Sequence, residues 1–134
     1  MDALYLIGRI LFVGIFIMSA IGHLTKADAM AQYAASKGVP AAKASVILTG
    51  LMLLAGGVSI LLGLYMEIGA GLLFLFLVPT AFIMHNFWTV QEPQQRQLEQ
   101  IMFVKDLSLA GAALIFYWLV QTHGYGPCVL GQPM

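Results

Sequence analysis

The sequence predicts an all-α integral membrane protein, a bundle of four membrane-spanning helices, and three observations carry that prediction. Hydrophobic residues make up 60% of the 134-residue chain and charged residues only 9%, against roughly a quarter charged in soluble domains. A water-soluble fold could not clothe its surface with so few charges. The apolar residues gather in four stretches, each near the ~20 residues that a helix needs to cross a hydrocarbon core of about 30 Å. The ionisable residues fall at or near the ends of those stretches. Helices are the only open-chain solution, because backbone amides in lipid must be satisfied within the segment. Net charge is zero with no Lys/Arg run, so a nucleic-acid footprint is absent. The single cysteine, Cys128, excludes an intrachain disulfide or a multi-thiolate metal site, and no metal is expected.

The first stretch, about residues 4–24, carries Arg9 near its start and His23 at its end. It lacks a basic leader and its apolar run is too long for a signal peptide, so it is expected to remain a span. Thr25 and Asp28 stand at capping-box spacing, and Ala27 to Lys37 reads as a short interfacial helix between spans one and two, stopped by Gly38 and Pro40. The second stretch, about 45–66, contains no charge. The third, about 68–88, is opened by Glu67; almost no loop separates the two, so they are expected to be antiparallel neighbours. The polar, Pro93-containing run from Gln91 to Gln100 reads as the third connection, before a fourth span at about 101–121. The Gly- and Pro-rich tail, 122–134, is expected to be irregular and flexible, and the whole chain to form a single domain.

Lys26, Lys37, Lys43, Arg96 and Lys105 belong to the first and third connections or their edges, whereas Arg9 lies toward the other side. The positive-inside rule places those connections in the cytoplasm and both termini outside. Helix association in lipid relies on close packing through small residues. Ala55, Ser59 and Gly63, with Gly56 and Gly57 alongside, and Ala110 with Ala113 supply such seams.

Ionisable residues within a membrane are costly, roughly 2.5–3.5 kcal/mol at a helix centre, and so mark candidate functional positions. Antiparallel topology sorts them into two clusters. His23, His85, Asn86, Trp88, Lys105 and Asp106 gather on the side of the first and third connections, and Arg9, Tyr65 and Glu67 on the other. Glu67 and His85 are 18 residues apart, five full turns, so they share a face. Each has a plainer structural reading. Arg9 pairs with Glu67 or snorkels to headgroups. His85 fastens two helices through Asp106, Lys105 meets lipid phosphates, and Trp88 anchors at the interface. Cys128 reads as an unreactive tail thiol.

Read together, these residues resemble the DoxX family of small four-helix bacterial membrane proteins. The supporting features are His85-Asn86-Phe87-Trp88 closing the third span, and Phe103-x-Lys105-Asp106-Leu107-x-x-Ala110-Gly111 opening the fourth. Gly8-Arg9-Ile10, the stretch from Ser19 to His23, and Lys37-Gly38-Val39-Pro40 are further family-like positions. The sequence departs from the family in reading Leu51-Met52-Leu53-Leu54 where a Glu is common. The resemblance implies a bacterial inner-membrane protein related to the small subunit of thiosulfate:quinone oxidoreductase, working within complexes that handle thiols or oxidative stress.

The expected function is an accessory or quinone-interacting subunit of a membrane redox complex. His85 would donate to a quinone carbonyl and carry its proton, with Asp106 as relay, Lys105 as second donor, and Phe87 and Trp88 as a flat wall. His23 and Asn86 complete the candidate site, and Arg9 with Glu67 would fix the far side as an ion pair. The alternative is a non-enzymatic assembly subunit docking to a larger membrane complex. Nothing in the chain reads as a flavin site or a dithiol, so independent catalysis is not expected.

Overall fold

A computed structural model of the chain describes residues 1–131; residues 132–134, the end of the expected tail, lie outside the described part. Helix α1 spans Asp2–Thr25, α2 Ala27–Ser36, α3 Ala42–Leu62, α4 Met66–Met84 and α5 Pro93–His123. Helices α1, α3, α4 and α5 are long and apolar enough to cross a membrane. Their outward surfaces carry Leu11, Met18, Leu48, Leu75 and Ile115, each more than 60% exposed, which only a lipid environment makes cheap.

The helices pack as an antiparallel row, α1 against α3, α3 against α4, and α4 against α5. Phe12 and Phe116 bring α1 and α5 together, with ring centroids 6.5 Å apart. The core runs down the middle through Val13, Phe16, Leu53, Ile60, Leu73, Leu77 and Ala110. Helix α3 stops at Gly63, whose left-handed backbone (φ 72°) turns the chain, and the Leu64 N–H reaches back to the Ser59 carbonyl. This is a Schellman-type stop, which glycine accepts without steric penalty. Helix α4 begins three residues later, so the second and third spans are tight neighbours.

The fold expected from the sequence, with a short interfacial helix between the first and second spans, does not hold. A short 3-10 helix over Phe87–Thr89 joins α4 to α5 at the edge of the bundle. The Ala27–Ser36 segment is not a lone surface element, since it packs on α3. The capping box expected at Thr25 is also absent. The Thr25 hydroxyl donates to the Ile21 carbonyl, and Asp28 pairs with Lys43 at an exposed site.

The outer limits of the third and fourth spans move as well. Helix α4 ends at Met84, not near residue 88. Helix α5 starts at Pro93, inside the polar run expected to be a connection. Proline suits a first helical turn because its missing N–H has no partner there anyway. The Glu92 side chain accepts from the backbone N–H groups of Gln94 and Gln95, capping the end that proline opens.

The α3–α4 seam is set by two glycines. A Cβ on Gly69 would sit 3.1 Å from the Gly56 carbonyl oxygen and would collide with Ser59; one on Gly56 would meet Leu73 at 2.9 Å. Of the expected seam residues, Gly56, Gly57 and Gly63 are buried while Ala55 is exposed. The substitution Gly69→Val is therefore expected to cost about 1–3 kcal/mol by overpacking, read as a lower thermal unfolding midpoint in detergent. Gly71→Ala, at a position open to its surroundings, is the matched control and should leave the midpoint in place.

Candidate functional site

The buried polar residues divide between the two ends of the bundle. At the end where the N-terminus and the described part of the tail lie, Arg9 is 2% exposed, and among the described residues its guanidinium donates only to backbone carbonyls. Nε reaches Ile60 at 3.0 Å and Nη2 reaches Leu61 at 2.6 Å. Nη1 reaches Pro127 at 3.0 Å and Cys128 at 2.8 Å. Two of these are carbonyls from the last turn of α3, which carries the negative end of the helix dipole and has no intrahelical donors left. The planar five-donor fork of arginine matches such a set in a way that a lysine would not.

The expected Arg9–Glu67 ion pair is thus corrected: among the described residues these two do not pair. Glu67 Oε2 accepts from the Tyr125 hydroxyl at 2.6 Å, and that hydroxyl also accepts from the Met66 N–H. Tyr5 donates to the Tyr125 carbonyl at 2.7 Å. The Leu130 and Gly131 N–H groups bond to the carbonyls of Leu62 and Gly63. Past the end of α5 at His123 the described part of the tail has irregular backbone, yet it is anchored over the bundle by these bonds. Burial, and after it the Glu67 hydrogen bond, raises the Tyr125 phenol above its ordinary value.

At the opposite end, His85 lies one residue past α4. Its Nδ1 is 2.7 Å from Glu99 Oε2, a short charge-assisted contact. Its Nε2 is 3.6 Å from Asp106 Oδ2, an ion-pair distance rather than a hydrogen bond. Lys105 Nζ lies 3.5 Å from Asp106 Oδ1. Glu99 Oε1 accepts from the Tyr33 hydroxyl at 3.0 Å and from Gln95 Nε2 at 3.1 Å. Burial, and then the Glu99 hydrogen bond and charge, push the Tyr33 phenol above its ordinary value. His23 Nδ1 is 3.1 Å from both the Val46 carbonyl and the Thr49 hydroxyl.

His23, Tyr33, Val46, Thr49, His85, Lys105 and Asp106 line a cavity of about 370 Å³ to which all five α-helices contribute. Ser19 and His23 come from α1, Met30 and Tyr33 from α2, Val46 and Thr49 from α3, Phe76, Pro79 and Thr80 from α4, and Lys105 and Asp106 from α5. Four of the six candidate residues named from sequence, His23, His85, Lys105 and Asp106, line it together. The other two lie elsewhere. Asn86 accepts from Lys37 Nζ at 2.9 Å. Trp88 joins Phe82, Phe87 and Phe103 in a cluster of edge-on and tilted rings, about half exposed, so neither it nor Phe87 forms a wall of the cavity.

Sequence reasoning missed Glu99, Tyr33, Thr49 and Pro79. For Glu99 a signal existed: Gln95, Glu99, Met102 and Asp106 recur at helical spacing once a helix is allowed to begin at Pro93. Chemically, the arrangement places an ammonium, an imidazole and a carboxylate at one end of an otherwise mainly apolar chamber. Such a set offers hydrogen-bond donors, acceptors and an exchangeable proton.

The model of the DoxX family matches residues 4–86, from the first turn of α1 past the end of α4. The chain belongs to the DoxX family. It is also 32% identical to the inner membrane protein YphA of Escherichia coli (strain K12) over 112 residues, 84% of this chain and 79% of that protein. This DoxX chain is a multi-pass membrane protein, and the similarity supports the inner membrane as its location. No solved structure gives a significant match. The family match ends at Asn86, so the roles of Glu99, Lys105 and Asp106 rest on their geometry.

Replacing Arg9 by methionine keeps an unbranched side chain but strips four carbonyls of their donor. The expected loss is about 3 kcal/mol or more, since bonds to charged groups count for more than neutral ones and the buried acceptors stay unpaired. The check is the thermal midpoint in detergent together with protease cleavage of the tail, which should accelerate.

Proposed function

We propose that this DoxX protein is an accessory, quinone-interacting subunit of a membrane redox complex linked to thiol or oxidative-stress chemistry, with the five-helix cavity as the quinone site. One observation carries the reading: the costly ionisable groups of the connection end converge on a single chamber of about 370 Å³. That volume falls within the ~300–1,000 Å³ typical of small-molecule sites. Ring-sized apolar walls at Phe76, Pro79 and Ile83 suit a quinone head.

The donor set fits as well. Lys105 is a cation that can donate to one carbonyl oxygen. Nε2 of His85 and the Asp106 carboxylate are both acceptors when neither carries a proton, so their approach is favourable only when a proton resides on one of them. That proton is available to a second carbonyl. A quinone, when bound, supplies a carrier of two electrons and two protons. The protein's own part is to exclude water with α2, orient the head, and hold a proton at the Asp106–His85 contact. With one cysteine, the chain offers no dithiol of its own, so electrons would come from a partner chain.

Protein reconstituted with ubiquinone or menaquinone analogues is expected to bind them saturably, with His85→Ala and Asp106→Asn weakening affinity at least about tenfold, equivalent to 1.4 kcal/mol. Binding that is indifferent to both changes would remove the site from the cavity. A mild-detergent preparation is expected to retain the partner chain in stoichiometric amount.

The distribution of Lys and Arg supports an orientation with the cavity end in the cytoplasm and both termini outside. Cys128 is exposed and is the chain's one thiol, which makes it a reporter. A membrane-impermeant maleimide should label it on spheroplasts without lysis. Labelling that needs lysis reverses the orientation.

A further inference from the structure

We infer that Glu99 is the positioning residue of this cavity, holding the His85 imidazole with its Nδ1 proton directed away from the chamber and its Nε2 toward Asp106. The inference deepens the quinone reading and rests on it for its consequence for ligand binding, but not for its geometry. The two oxygens of Glu99 are divided between tasks. Oε1 accepts from Tyr33 of α2 and from Gln95 one turn earlier in α5. Oε2 is left to face His85 Nδ1 at 2.7 Å. A residue only 5% exposed, with three partners drawn from three parts of the chain, has little freedom to move.

The consequence for the imidazole follows from its inventory of protons. A neutral ring carries one N–H, and which nitrogen bears it is decided by the partner of the other. A carboxylate oxygen is an acceptor only, so a contact at 2.7 Å requires the proton on Nδ1. Nε2 is then left as the nitrogen that meets Asp106 at 3.6 Å. In water the opposite tautomer, with the proton on Nε2, is the more populated one. Glu99 thus determines the face that His85 presents to the chamber without lining the chamber itself. It is the arrangement by which metal-bound and triad histidines are oriented by a carboxylate behind them. Among the described residues, the other charged and titratable groups near the ring are Lys105 and Asp106 from α5 and His23 across the same chamber, with Tyr33 of α2 and Lys37, just past the end of that helix, near Glu99. The bond from Tyr33 also makes α2 a working part of the site.

The test is nitrogen-15 NMR of histidine-labelled protein in nanodiscs, with the His85 signals assigned by their loss in His85→Asn. In the wild type Nδ1 of His85 should carry a proton. Glu99→Gln, whose amide oxygen still accepts, should keep that proton in place. Glu99→Leu should move it toward Nε2, where Asp106 is the remaining acceptor. Binding of a ubiquinone analogue, measured in parallel, should fall at least fivefold in Glu99→Leu and largely recover in Glu99→Gln. An unprotonated Nδ1 in the wild type overturns the inference, and that reading does not depend on how well any variant folds. A folded Glu99→Leu with the wild-type tautomer overturns it equally. If the wild type binds no quinone analogue while the tautomer moves as stated, the quinone reading fails and the positioning role stands.

Discussion

The contact between His85 and Glu99 joins the end of α4 to the first turns of α5, and the arrangement at the cavity follows from it. A helix-to-helix connection of eight residues, 85–92, leaves many possible registers between two apolar spans. Lipid tails discriminate poorly among such registers, because they are as apolar as the helix faces. A histidine that finds a carboxylate on either side discriminates strongly. With Nδ1 on Glu99, the ring is brought beside Asp106, two turns further along the same face of α5. Lys105 then follows as the neighbour of Asp106. Two carboxylates, an imidazole and an ammonium are thereby gathered where each offsets the burial of another.

The terminal end solves the same problem with different means. Arg9 is satisfied by four backbone carbonyls, and Oε2 of Glu67 by a tyrosine from the tail, while Glu67 Oε1 is buried without a hydrogen-bond partner among the described residues. Most of those polar atoms are engaged in holding the described part of the tail against α3 and α4, although Arg9 and Tyr5 also border an apolar cleft of about 380 Å³ between α1 and α5. The difference in partners distinguishes the two ends: Lys105 and the Asp106–His85 contact line open volume, whereas the Arg9 donors are spent on backbone carbonyls.

Much of this was legible in the sequence, and the exceptions have identifiable causes. Length and hydropathy locate the four spans, and the antiparallel topology they impose is enough to bring His23, His85, Lys105 and Asp106 to one end. The short 3-10 turn was hidden because the apolar pattern runs on through Phe87 and Trp88, although the helical hydrogen bonds stop at Met84. The first turns of α5 were hidden for the opposite reason: a run of Gln, Glu and Arg reads as a loop, when in fact it is a helix protruding beyond the apolar span, capped by Glu92 and Pro93. With that helix went Glu99. The partners of Arg9 carried no signal, since backbone carbonyls are present at every position and only the fold selects four of them. Tyr125 lies in an aperiodic tail, where no spacing argument reaches.

The most direct measurement of the account is an experimental structure of the protein taken from native membranes in mild detergent. The His85 ring is expected between Glu99 and Asp106, with a flat non-protein density in the chamber against Phe76 and Pro79 and its polar edge toward Lys105. An imidazole turned outward to the acyl chains, or a chamber closed by the packing of α2 onto α4, would contradict it.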